Sequence, residues 1–64
     1  MPFVIVEFWK GRSVEQKRKL VRAITDAMIT HGGCKPEHLH VVIHDIDKEN
    51  WGRAGVLAID EEKR

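Results

Sequence analysis

The chain has little of what usually holds a very small protein together. Its one cysteine, Cys34, excludes an intrachain disulfide, and an unpaired thiol suits a reducing compartment. No apolar run approaches the ~18 residues of a membrane span. The first residues carry neither the basic segment nor the cleavage site of a secretory signal, so a cytoplasmic protein is expected. Charge of one sign is scarce too. Eleven Lys and Arg face ten Asp and Glu, for a net charge of +1, which argues against a strong pull on nucleic acid or membrane surfaces. There is no internal repeat, linker or low-complexity segment.

What is present is apolar surface in excess of what the length can hide. The 64 residues form one domain, 1–64, and 42% of them are hydrophobic. A chain this short buries only about 60% of its unfolded surface. Below roughly 70–80 residues, stability is supplied by disulfides, metal, oligomerisation or unusually good packing. The surplus goes most simply into contacts between subunits.

The first twelve residues organise the rest. Removing Met1 would leave Pro2 as an amino-terminal secondary amine, able to hold or release a proton. Behind it, Phe3 to Trp9 alternates Val4, Val6 and Phe8 with Phe3, Ile5, Glu7 and Trp9, the pattern of a strand apolar on both faces. Gly11-Arg12-Ser13 turns the chain into a helix over 14–31. Ser13 and Gln16 form a capping-box pattern, and Gly32-Gly33 supplies the left-handed C-cap. Val14, Leu20, Val21, Ile24, Ala27 and Met28 make its apolar stripe. On its polar face, Glu15–Lys19 and Arg22–Asp26 stand at i,i+4 spacing. Pro36 ends a connector, and the β-branched run 39–46 predicts a second strand, parallel to the first across the helical crossover. A polar loop at 47–50 precedes Trp51-Gly52-Arg53-Ala54-Gly55, a tight turn or short hairpin. A brief strand is expected at 56–59 and a loose charged tail at 60–64. Two parallel strands under one helix leave open sheet edges and a bare sheet face, so the protomer is expected to oligomerise.

Taken together, Pro2 after Met1, the first strand, Gly11-Arg12-Ser13 with Glu15-Gln16-Lys17, the second strand and Trp51-Gly52 resemble the 4-oxalocrotonate tautomerase family. The resemblance runs from Pro2 to about Ala58, and the G-R-S-x-E-Q-K segment is its most specific stretch. It implies an α+β fold: βαβ protomers with parallel strands and a short C-terminal hairpin, paired into a four-stranded sheet. It also implies a homo-oligomer, a hexamer built as a trimer of dimers, that needs no cofactor. The implied activity is keto–enol or allylic isomerisation of a small 2-oxo acid, with Pro2 as general base once Met1 is gone. The chemistry is sound on its own terms, because one base of near-neutral pKa can take a proton from one atom and return it to another. An α-amino group lies near pH 8 unperturbed. Burial against Phe3, Phe8 and Trp51, with a cation such as Arg12 nearby, would lower it.

By the same resemblance Arg12 binds the substrate carboxylate, a task suited to the bidentate guanidinium fork, and Trp51 walls the site. The family's second arginine, at the start of the second strand, is His40 here. That substitution leaves the far end of the substrate without a strong anchor, unless Arg53 supplies the cation from the hairpin. Two other readings stay open: a non-catalytic binding module that keeps Met1, and a relative that hydrates or dehalogenates unsaturated acids. His31, Cys34, His38, His40 and His44 match no familiar zinc spacing, so no metal is expected. Lys17, Arg18, Lys19 and Arg22, interleaved with acids, are expected to form a solvated face.

Overall fold

The computed structural model of the chain describes residues 2–61. The first strand, β1 (Phe3–Trp9), leads into a long helix, α1 (Val14–Gly32), and the second strand, β2 (His40–Ile46), returns beside the first. The strands are parallel, in a register that runs from Phe3 opposite His40 to Trp9 opposite Ile46. Both ends of the ladder are fastened: the His40 N–H donates to the Pro2 carbonyl at 3.1 Å and the Lys10 N–H to the Ile46 carbonyl at 3.0 Å. The second strand begins one residue later than the apolar run suggests. The Leu39 N–H is spent on the Pro36 carbonyl at 3.3 Å, closing a single 3-10 turn over Pro36–His38.

Helix α1 starts as its sequence dictates. The Gln16 N–H donates to Ser13 Oγ at 3.1 Å, and the Ser13 N–H donates back to Gln16 Oε1 at 2.9 Å. A cap of this kind stabilises a helix by about 1 kcal/mol. At the other end, the Gly33 N–H caps the Met28 carbonyl. Leu20, Val21, Ile24 and Met28 are half-buried, whereas Val14 and Ala27 are exposed and fall outside the stripe. Lys17 reaches across to Asp45 of β2 as an ion pair, pinning the helix to one face of the sheet. Away from the sheet, Arg22 pairs with Asp26 at 3.8 Å, as the spacing predicts. Glu15 takes Arg18 at 3.1 Å rather than Lys19.

One helix can cover only one sheet face. On that face Val4, Val6, Phe8, Val41 and Ile43 are half-buried. On the other, Phe3 is 64% and Ile5 57% exposed, and Val42 is open beside them. Among the described residues only Ala58, 3% exposed, is buried. The surface of 5073 Å² compares with about 4,200 Å² for a compact monomer of this mass. The radius of gyration, 15.1 Å, compares with about 10.7 Å for a compact domain of this length. The protomer is flat and unfinished, with a core that one layer of helix cannot close.

After β2, a 3-10 turn over Lys48–Asn50 leads into a short antiparallel hairpin of β3 (Gly52–Arg53) and β4 (Val56–Leu57). Ala54 and Gly55 turn it with φ of 53° and 80°, the pair of positive angles a type I′ turn needs. The chain then departs from its expected course. The strand expected over 56–59 stops at Leu57, because Ala58 packs inward and its N–H donates to the Trp51 carbonyl at 2.7 Å. Ala58–Glu61 forms a single helical turn, α2, where a loose tail over 60–64 was expected to begin. Arg53 holds Glu61 there at 3.3 Å. Residues 62–64 of that tail lie outside the described residues, and so does Met1, with the question of its removal. No helix among the described residues is long and apolar enough to cross a membrane.

Candidate active site

The residues singled out in the sequence gather at opposite ends of β1. At its start, Pro2 is half-buried and tied through its carbonyl to His40. The His40 ring stands edge-on to Phe3, with centroids 5.7 Å apart. At the far end, a cleft of about 220 Å³ is lined by Glu7, Phe8, Trp9, Arg12 and Trp51. Seven strand residues separate the two groups, a span of roughly 20 Å at the rise of a β-strand. The expected packing of Pro2 against Phe8, Trp51 and Arg12 therefore does not occur within one protomer. A parallel strand that starts on Pro2 and ends beside Arg12 keeps them apart by its own length.

The geometry of the cleft follows from the turn after β1. Gly11 takes φ of 133°, a conformation open to glycine alone without strain, and this folds Arg12 back over the strand it has just left. Arg12 Nη1 donates to the Trp9 carbonyl at 2.8 Å. The guanidinium lies 4.1 Å from the centre of the Phe8 ring. These contacts occupy one of its five donors and one of its faces. Arg18, Arg22 and Arg53 pair with Glu15, Asp26 and Glu61. Among the described residues, Arg12 is the one arginine without a carboxylate partner. An exposed guanidinium propped on a ring at the mouth of an aromatic cleft has donors free for an anion such as a carboxylate.

Trp51 stands edge-on to Trp9, with centroids 6.1 Å apart and planes at 80°. Lys48 Nζ lies 4.8 Å above the Trp9 ring. Lys10 and Asp47, paired at 2.8 Å, tie the end of β1 to the loop that carries Lys48. The hydrogen bond to Asp47, and then the attraction of that carboxylate, hold the Lys10 ammonium above its ordinary pKa. Trp9 was read from the sequence as strand core alone, whereas Phe8 was expected beside the Pro2 amine. The place of Trp9 beside the Gly-Arg turn was the available signal. Arg53, proposed as a second anchor, does not line the cleft and bonds Glu61 instead. Of the histidines, His44 Nδ1 pairs with Glu7 at 3.2 Å on the open sheet face. No three potential metal ligands cluster among the described residues.

The comparisons with known proteins meet this arrangement over almost its full length. The family model for tautomerase enzymes matches residues 2–60. The chain belongs to the tautomerase family. It is 43% identical over 58 residues to the 2-hydroxymuconate tautomerase of Comamonas testosteroni, covering 91% of this chain and 92% of that one. A solved structure of a 4-oxalocrotonate tautomerase isozyme from Methylibium petroleiphilum superposes with a TM-score of 0.83 at 43% identity, over 91% of this chain and 94% of the other. The fold alone extends further. A heterohexameric 4-oxalocrotonate tautomerase from Chloroflexus aurantiacus gives a TM-score of 0.85 at 23% identity, over 94% of this chain and 97% of that one. The βαβ unit with its short hairpin is thus the 4-oxalocrotonate tautomerase fold, and this tautomerase is an enzyme of that family.

Proposed function

We propose that this tautomerase moves a proton within a small unsaturated 2-oxo acid, with Pro2, freed of Met1, as the base. The observation that carries the reading is the unpaired Arg12 guanidinium at the mouth of the aromatic cleft. Arg12 holds the substrate carboxylate, and Trp51 keeps water from the reacting carbons. The Pro2 nitrogen takes the proton of the enol hydroxyl as the carbonyl forms, then returns it to carbon at the far end of the conjugated system. Nothing is oxidised or reduced overall, and no cofactor is called for.

Such a site needs two protomers. Pro2 and Arg12 are a strand length apart in one chain, and among the described residues β1 has an unpaired edge, since its sheet there holds β1 and β2 alone. A two-fold axis at that edge, perpendicular to the strands, would run two copies of β1 antiparallel. The Pro2 end of one would then meet the Arg12 end of its partner, within a four-stranded sheet. The bare face around Phe3, Ile5 and Val42 would be covered by further copies, in keeping with a cytoplasmic hexamer assembled as a trimer of dimers.

Turnover of phenylenolpyruvate or 2-hydroxymuconate by protein whose intact mass lacks one methionine tests this reading. No turnover of either would overturn it. Charge sets the preference between the two. His40, on the Pro2 side, offers no bidentate grip, and Arg53 would have to leave Glu61 to help. The monoacid phenylenolpyruvate is therefore expected to have the higher kcat/KM. His40→Arg should raise kcat/KM for the diacid by about 10-fold, equivalent to about 1.4 kcal/mol, within the range of a charge-assisted hydrogen bond. Preference for the diacid in the wild type, abolished by Arg53→Ala, would make Arg53 the second anchor. The same preference surviving Arg53→Ala would remove both His40 and Arg53 from the substrate's far end.

A further inference from the structure

The cleft holds a second tryptophan to which no role has been given. Trp9 is the last residue of β1 and 36% exposed, a large apolar surface left open beside the one unpaired arginine of the described chain. It is also held in place from several sides. Trp51 meets it edge-on at 6.1 Å, Lys48 lies over its ring at 4.8 Å, and its own carbonyl accepts from Arg12 at 2.8 Å. The Lys10–Asp47 pair ties the next residue to the loop that carries Lys48. A ring fixed this way, with its remaining surface on a cleft of about 220 Å³, presents a preformed wall at an angle to Trp51.

We propose that Trp9 is the specificity-determining residue for the end of the substrate opposite its carboxylate, and that the substrate class is the enol of a 2-oxo acid ending in a planar aromatic ring. The proposal rests on the tautomerase reading of the same cleft and adds to it. His40 bears on the charge at the far end of the substrate, whereas Trp9 bears on shape. Two indole rings at 80° form a corner in which an aryl ring can lie against one wall and meet the other edge-on, the arrangement aromatic pairs favour. A flexible alkenyl chain would make neither contact well. Arg12, bonded to the Trp9 backbone, sets the carboxylate at a fixed remove from that corner, so both ends of the ligand are gripped by one short stretch of chain.

The test compares kcat/KM for phenylenolpyruvate with that for a ring-free 2-hydroxydienoate monoacid, on wild type, Trp9→Leu and Trp9→Phe. Trp9→Leu is expected to lower the aryl substrate by about 10-fold, which is about 1.4 kcal/mol and at the upper end of what an aromatic pair contributes. The ring-free substrate should change by less than about twofold, and Trp9→Phe should restore most of the aryl rate. Equal losses on both substrates would assign Trp9 to structure alone, and no loss on either would remove it from the site. Calorimetric titration with phenylacetate and hexanoate separates this proposal from the tautomerase reading. If neither enol is turned over but phenylacetate binds wild type better and Trp9→Leu removes that advantage, the reaction is wrong and the aryl selectivity stands. If phenylacetate binds no better than hexanoate, the selectivity is wrong whatever the reaction.

Discussion

Pro2→Ala, in protein that has lost Met1, is expected to lower kcat/KM for enol isomerisation by at least about 100-fold, the scale of a missing general base. The fold should not notice. What Pro2 gives the structure is its backbone carbonyl, which accepts from the His40 N–H at 3.1 Å, and alanine keeps that carbonyl. The change removes a ring from a half-buried position and replaces a secondary amine with a primary one. Matching far-UV spectra and unfolding midpoints would show that the loss is chemical. Activity within a few-fold of wild type would rule the proline out as the base.

Arg12→Ala is the second large effect expected. A hydrogen bond to a charged partner contributes about 1.5–3 kcal/mol, so losing the carboxylate anchor should reduce kcat/KM roughly 10- to 150-fold. Arg12→Lys should fall between, because an ammonium keeps the charge but not the planar fork. The structural loss is small by comparison. An exposed cation over a ring, as Arg12 lies over Phe8 at 4.1 Å, contributes about 0.5–1 kcal/mol. The expected signature is a large kinetic defect in a protein of nearly unchanged stability. A loss of the same size for acidic and neutral ligands alike would mean that Arg12 only shapes the turn.

The features legible in the sequence were those written in local chemistry. The capping box at Ser13 and Gln16, the glycine stop of α1, the β-branched runs and the Ala54-Gly55 turn each depend on a few neighbouring residues, and all are present. Legible too was the bare sheet face, since a single helix over a two-stranded sheet must leave one side open. The end of the chain was misread because its fate depends on contacts that periodicity does not show. Ala58 turns inward onto the Trp51 carbonyl, and Arg53 reaches Glu61 across eight residues. That same ion pair diverts Arg53 from the cleft. Trp9 was hidden for another reason: alternation assigns it to a strand face, and only the fold-back at Gly11 brings Arg12 over the end of that strand. The separation of Pro2 from Arg12 follows from strand length alone. The proposal of a site divided between two chains draws on the register as well.

Mixing two inactive variants tests the divided site most directly. Pro2→Ala and Arg12→Ala proteins, each processed and each nearly inactive, are unfolded together in equal amounts and refolded. If Pro2 of one protomer works with Arg12 of its partner, random pairing gives about a quarter of the sites both intact residues, and activity should recover to about that fraction of wild type. Mixed oligomers, verified by native mass, that stay as inactive as their parents would contradict a site shared between protomers.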